Sequence, residues 1–223
     1  MTQRRAPLSR DLVLRTAVTM ADRDGIESLS MRRLAQALGV VPMALYKHVA
    51  NKEELLDGIT DAVIAEFAPA ELTGDWRSVA RARILSARAT MLRHPWAAGV
   101  IASRTQPTPA ALAHMESMIS DFRAGGVSAA LTHLAMHTIG SRIWGFNVEV
   151  FASAPPPTDP AQREAMIRTM GAAFPHILEV AMAAHHTSDQ IVGDGCDDQF
   201  EFEFGLDVLL DAVDRLHQRG WEP

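Results

Sequence analysis

The residues best equipped for chemistry lie close together near the start of the chain, in the segment MRRLAQALGVVPMALYKHV, residues 31 to 49. Arg32 carries a planar guanidinium that can bridge phosphate oxygens or reach guanine O6 and N7 through two parallel hydrogen bonds. Tyr46, Lys47, His48 and Lys52 follow with a hydroxyl, an ammonium, an imidazole and a second ammonium. Such groups neutralise and hydrogen-bond a phosphate backbone, which fixes register without reading sequence. Pro42, Met43 and Ala44 form an apolar edge just ahead of them, of the kind that contacts thymine methyl groups in a major groove. Two of these residues have a plainer use as well: Met43 suits a core, and Tyr46 suits a staple between helices. Arg4, Arg5 and Arg10 fit an arm laid over phosphates or the minor groove, and equally a disordered tail.

Elsewhere the chemistry is sparse. His133 and His137 stand four apart, the spacing of a metal-binding pair on a helix, but no third ligand is identifiable and no metal is expected. Contacts to a small molecule, or imidazoles satisfied in a core, are the other readings of that pair. No Ser/His/Asp grouping, phosphate loop or paired-acid motif appears, so neither enzymatic activity nor a cofactor is expected. The single cysteine, Cys196, excludes an intramolecular disulfide and any multi-cysteine zinc site.

Helices must position these residues. Ser9 is a candidate N-cap, with Asp11 in the first turn and Leu12, Val13, Thr16, Ala17 and Met20 at helical spacing up to Gly25. Ser30 caps a second, short helix that Gly39 ends. Pro42 opens a third through Met43, Ala44, Leu45, Tyr46, Lys47 and His48. Asn51 with Glu54 resembles a capping box, so a fourth helix should run from Lys52 towards Phe67. Between the second and third helices the requirements of a helix-turn-helix are met. Leu34, Leu38, Val40 and Leu45 supply the apolar contact, Ala35 the close approach, and Gly39 a residue able to take positive φ. Leu/Ala/Gly spacing alone is also compatible with an ordinary helical hairpin.

The rest of the chain continues in helices: Trp76 to Arg93, Trp96 to Ser103, Pro109 to Arg123, a long buried one from Val127 to Phe151, one from about Gln162 to Ala184, and a last one from Asp197 to Arg219. Residues 154 to 160, APPPTDP, form an extended loop because successive prolines forbid helix. HHTSDQIVGDG forms a polar loop. Phe200, Phe202 and Phe204 alternate with glutamates in a strand-like rhythm, but the apolar pattern runs on to Leu216 without a turn signal. A helix with two apolar sides satisfies both facts, one side for its own subunit and one for a second copy.

Composition agrees with this plan. The 223 residues are 48% hydrophobic and 22% charged, with one tyrosine, which suits packed helices. No apolar run reaches the length of a membrane span, and the start lacks the apolar stretch of a secretory signal, so a cytoplasmic protein is expected. The formal charge of -6 conceals a division. Residues 1 to 52 carry nine Lys or Arg against four Asp or Glu, and residues 53 to 223 carry twelve against twenty-three. A basic head can supply the affinity for a polyanion while an acidic body stays off it.

The flanks of the central motif narrow the reading further. The capped first helix, GIESLSMRRLAQALGV and LYKHVANKEELLD together resemble the tetracycline-repressor family of regulators, closely over the first sixty residues. RHPWAAGVIASRTQPTP and FEFGLDVLLDAVDRL resemble, more weakly, the C-terminal domain of its tetracycline-repressor subgroup. The resemblance implies an all-α protein with a three-helix DNA-binding domain over residues 1 to 53. A larger ligand-binding and dimerisation domain follows over residues 54 to 223. It also implies a homodimer, held through the long helix near 127–151 and the last helix near 197–219, that represses a near-palindromic operator until a small molecule releases it. Recognition helices in such a dimer would stand roughly 34 to 36 Å apart, one turn of DNA. Trp96, Met115, Met118, Phe122, Met170 and Phe174, with His133, His137, Trp144 and Asn147, are the candidates to line an inducer cavity for an apolar or polycyclic ligand. Each large apolar one among them would serve equally as core. The family's drug- and magnesium-holding histidines fall at Ala68 and Ile101 here, so tetracycline and its magnesium are not expected. A helical enzyme or small-molecule carrier that merely keeps a helix-turn-helix is the rival reading.

Overall fold

The structure, a computed structural model, describes residues 7–68, 71–145, 157–183 and 198–223, with the side chains of 141–145 and 181 outside that description. Among the described residues there are eleven α-helices and no strand. They are α1 Arg10–Asp24, α2 Met31–Leu38, α3 Pro42–Leu45, α4 Lys52–Ala65, α5 Trp76–Arg93, α6 Ala97–Ser103, α7 Pro109–Ala124, α8 Ala129–Gly145, α9 Pro160–Ala173, α10 Pro175–Ala183 and α11 Asp198–Gln218.

Side-chain caps set the starts, as the sequence predicts. Ser9 Oγ accepts from Leu12 N at 3.2 Å, Ser30 Oγ from Arg33 N at 3.3 Å and Asn51 Oδ1 from Glu54 N at 2.8 Å. The box at α4 reaches one residue further back than expected: Glu54 Oε2 accepts from Ala50 N at 2.6 Å rather than from the cap itself. α1 ends at Gly25 with φ 79° and α2 at Gly39 with φ 65°, a region costly for any side chain. After Gly39, Val40 N donates to Ala35 O at 3.0 Å, closing the helix end in the manner that only a left-handed residue permits.

The helix-turn-helix stands on one core. Val13, Ala17, Leu29, Leu34, Ala35, Leu45, Val49, Leu55 and Ile59 are all buried together, with Val100 of α6 against them. A second cluster gathers Val63, Ile64, Phe67, Ala87, Met91 and Ala97. α4 therefore contributes to both, its first half to the former and its second half to the latter.

Two compact units divide the described chain. One comprises residues 1–136 and 214–223 and the other residues 137–213. In the first, α5 packs on α7, where Arg83 donates to both oxygens of Asp121 at 2.7 and 3.3 Å and Trp76 lies 5.2 Å from Phe122. In the second, α9 and α10 form a pair.

Three expectations need correction. The helix expected over Gln162 to Ala184 is two, because Pro175 forces Phe174 out of helical conformation, φ −139° and ψ 65°, and opens α10. The third helix is a single turn ending at Leu45, and Tyr46, Lys47 and His48 follow in turns. His48 N and Val49 N both return to Leu45 O, so the chain tightens rather than extends. Over its described side chains, residues 129–140, α8 buries one side. Leu131, Ala135 and Ile139 are inward at every fourth position, whereas His133, Leu134 and His137 are exposed. The helical reading of the Phe200–Phe204 stretch holds: Phe202, Leu206 and Leu210 are buried at helical spacing, while Phe200, Phe204 and Val208 face outward. Arg4, Arg5, Cys196, residues 146–151 of the long helix and the polar loop lie outside the described residues.

Candidate nucleic-acid interface

The two neighbouring arginines at the start of α2 have different occupations. Arg33 is used within the chain, donating to Ser28 O at 2.9 Å and to Asp24 Oδ2 at 3.0 Å. The Asp24 carboxyl is held below its usual 3.8, chiefly by the hydrogen bond from Arg23, against the opposing effect of burial, with the charges of Arg23 and Arg33 assisting. Arg32 is exposed and has no partner among the described residues. Its guanidinium is therefore available to an external anion at no cost in intramolecular bonds.

α3 presents a sharply divided surface. Leu45 and Val49 are buried and fix the segment to the core. On the other side Val41 is 68% exposed, Met43 72% and Tyr46 45%. Pro42 is exposed at the first helical position, and Ala44 is half-buried. Of the two uses open to Met43, core packing is excluded by this placement. Lys47 is exposed beside Tyr46, His48 is half-buried, and Lys52 stands exposed at the first residue of α4. Neither lysine has a partner among the described residues. Seven of the eight residues singled out from the sequence are thus gathered on α3, its trailing turns and the start of α4, and α2, packed on α3, brings Arg32. Val41, which that reading passed over, is among the most exposed apolar residues here. Its signal was present, a β-branched residue just before a helix-opening proline.

Beneath this head, polar contacts tie α1 and α4 to the corner between α5 and α6. Asp22 Oδ1 accepts from Trp96 Nε1 at 2.6 Å and lies 2.7 Å from Nδ1 of buried His94, whose Nε2 is 3.4 Å from Glu66. Arg93 donates to Glu66 at 2.8 Å and is the main reason that the Glu66 carboxyl sits below its usual 4.5, with His94 assisting and burial opposing. Arg104 bridges Glu53 at 2.7 Å and Asp57 at 3.3 Å, both on α4, and its pKa rises chiefly through the bond to Glu53. Ala110 N donates to Asp61 at 3.3 Å.

The residues proposed for an inducer cavity fall in both units. Trp96 packs beside both core clusters and is bonded to Asp22. Met118 and Phe122 are buried on α7, Met115 is exposed on the same helix, and His133 is exposed on α8. In the second unit His137 is exposed, Met170 half-buried and Phe174 exposed. The side chain of Trp144 and the whole of Asn147 lie outside the described residues. The sequence did not single out His114, which meets Phe67 edge-on at 5.1 Å and is pushed below 6.5 chiefly by burial, with Arg83 adding and Asp121 opposing.

Two family models match the chain: "Bacterial regulatory proteins, tetR family" over residues 13–59, and "Tetracyclin repressor-like, C-terminal domain" over residues 68–216. An HTH-type transcriptional regulator of Saccharopolyspora erythraea is 37% identical over 60% of this chain and 59% of its own length, so this chain spans about three fifths of that relative. A class C tetracycline repressor protein of Escherichia coli is 28% identical over 94% of this chain and 92% of its own. Among solved structures, the TetR family protein ActR of Streptomyces coelicolor, in complex with (S)-DNPA, is similar at a TM-score of 0.67 and 26% identity, covering 93% of this chain and 98% of that one. The first two of these relatives are named as a transcriptional regulator and a repressor. With both models together spanning most of its length, on a helix-turn-helix of the geometry described above, this chain belongs to the tetR family of bacterial regulatory proteins.

Proposed function

We propose that the chain is a cytoplasmic, ligand-responsive transcriptional repressor that grips a near-palindromic operator as a homodimer. The observation that carries this reading is the division of α3 and its flanks. One side is locked into a core by Leu45 and Val49, and the other exposes Tyr46 and Lys47 beside Arg32 and Lys52, three cations without partners among the described residues. Residues 1 to 53 are the DNA-binding domain, in which Arg32, Tyr46, Lys47, His48 and Lys52 meet phosphates while Pro42, Met43 and Ala44 meet base edges. Residues 54 to 223 form the ligand-binding and dimerisation domain.

The outward stripe of α11, Phe200, Phe204 and Val208, supports a second copy as its cover, together with α8. A small apolar molecule binds in the body, with the apolar and histidine residues named above as the candidates to contact it. It releases the operator only if it binds the splayed dimer more tightly. The complex of ActR with (S)-DNPA supports a ligand-holding body, and Ala68 and Ile101 argue against tetracycline.

The test is a fluorescence-anisotropy titration of the full chain with the duplex flanking its own coding region, between 50 and 200 mM salt. Affinity should fall steeply with salt, and Arg32→Ala or Lys47→Ala should each reduce the slope by about one. Wild-type binding by both variants would remove the assigned interface. In sedimentation velocity the wild type should run as a dimer and Phe204→Glu as a monomer; a monomeric wild type would overturn the dimer.

A further inference from the structure

The outward side of α3 is unusual in what it lacks. From Val41 to Leu45 the side chains are valine, proline, methionine, alanine and leucine, so the stretch offers no strong hydrogen-bond donor or acceptor. Leu45 is turned into the core, and Val41 and Met43 are left 68% and 72% exposed. The neighbours are of the opposite kind: Lys47 and Lys52 are exposed cations, and Arg32 is a third. An apolar tip framed by cations suits an apolar feature embedded in a polyanion.

We propose that Val41 and Met43 are specificity-determining residues that read the C5-methyl groups of thymines in each operator half-site. The inference rests on the DNA-binding reading above and adds to it the chemistry of the bases selected. In the major groove a G·C pair offers only acceptors and a donor to this tip, and covering them with aliphatic carbon leaves polar groups unpaired. Thymine alone among the bases projects a methyl group there, and covering it removes apolar area from water on both sides of the contact. Backbone-directed cations cannot make this distinction, because phosphates carry no sequence. Pro42 and Ala44 are also at this tip, and Val41 and Met43 are its exposed large apolar side chains.

Duplexes recovered by the full chain from a random-sequence pool provide the probe. Each thymine of the recovered site is replaced in turn by deoxyuridine, which deletes the methyl group and leaves the pairing edge intact. Affinity should fall about fourfold at one or two positions per half-site and roughly fifteenfold when the symmetric partner is replaced too. Val41→Asn and Met43→Gln are close in size and polar at exposed positions, and each should abolish the thymine-to-uracil difference at its own position. Salt-sensitive binding to a recovered site that is indifferent to every uracil replacement, or that places G·C pairs at these positions, would overturn the thymine reading and leave DNA binding standing. Failure to recover or retain any duplex would overturn both.

Discussion

Replacing Asp22 by alanine removes the acceptor that two residues of the α5–α6 corner share. Trp96 Nε1 donates to it at 2.6 Å, and His94 Nδ1 lies at 2.7 Å with its side chain only 9% exposed. Trp96 is open enough to find water, whereas the His94 ring nitrogen is not. Stranding one buried donor costs about 1 to 3 kcal/mol. Because the Asp22 side chain is itself 32% exposed, the electrostatic share is screened, and we expect about 2 kcal/mol in total. Urea unfolding followed by far-ultraviolet circular dichroism at pH 7.5 measures it. Trp96→Phe, which deletes the other donor and keeps an aromatic ring, should cost less, about 0.5 to 1 kcal/mol. A double-mutant cycle of Asp22→Ala with His94→Ala should return most of the loss as coupling. An Asp22→Ala cost no larger than that of Trp96→Phe, or a coupling near zero, would refute the assignment of this contact as a support of the head.

Three other outcomes are expected. Burial lowers the His114 pKa from 6.5, so below that pH the unfolded chain gains a proton that the folded chain refuses. Stability at His114 is therefore complete above about pH 6.5 and is lost as pH falls towards the depressed folded value; His114→Leu should flatten the urea midpoint between pH 7.5 and 5.5. Leu45→Ala empties a fully buried position and should cost about 2 to 5 kcal/mol, against within about 0.5 kcal/mol for Met43→Ala, in thermal or urea unfolding. A Cβ at Gly125 would lie 2.3 Å from Cγ of Trp76, while one at Gly99 meets nothing within 4 Å. Gly125→Ala should lose about 1 to 3 kcal/mol and Gly99→Ala gain up to about 1, and equal effects would contradict the packing described.

What the sequence displays well is local. Ser9, Ser30 and Asn51 announce helix starts because a cap and the amides it serves lie within three residues, and Gly39 announces a left-handed turn because few other residues tolerate one. The Phe200–Phe204 rhythm was resolved by extent, since no strand continues to Leu216 without a turn. The break at Phe174–Pro175 was legible in principle: proline there removes an amide and restricts its predecessor, and an apolar pattern running through it concealed the boundary. The contacts of Asp22 with His94 and Trp96 span 72 and 74 residues, and no periodicity encodes partners at that distance. The same limit governs the interface: residue types marked Arg32, Lys47 and Lys52, but that Arg33 is consumed by Asp24 and Ser28, and that Val41 stands free, follow only from the fold.

The double membership of α4 constrains how this protein could be recombined. Leu55 and Ile59 belong to one buried cluster while Val63 and Ile64 belong to the other, on a single uninterrupted helix. A chimaera spliced at residue 53, the boundary proposed above between DNA-binding and ligand-binding domains, grafts a foreign three-helix module onto half of an interface shaped for its original partner. Transplanting the head together with α4 fails in mirror image on the far side of the same helix. Exchange of DNA preference between relatives is therefore mechanically easier by substitution on the outer rim of α3 than by swapping whole modules.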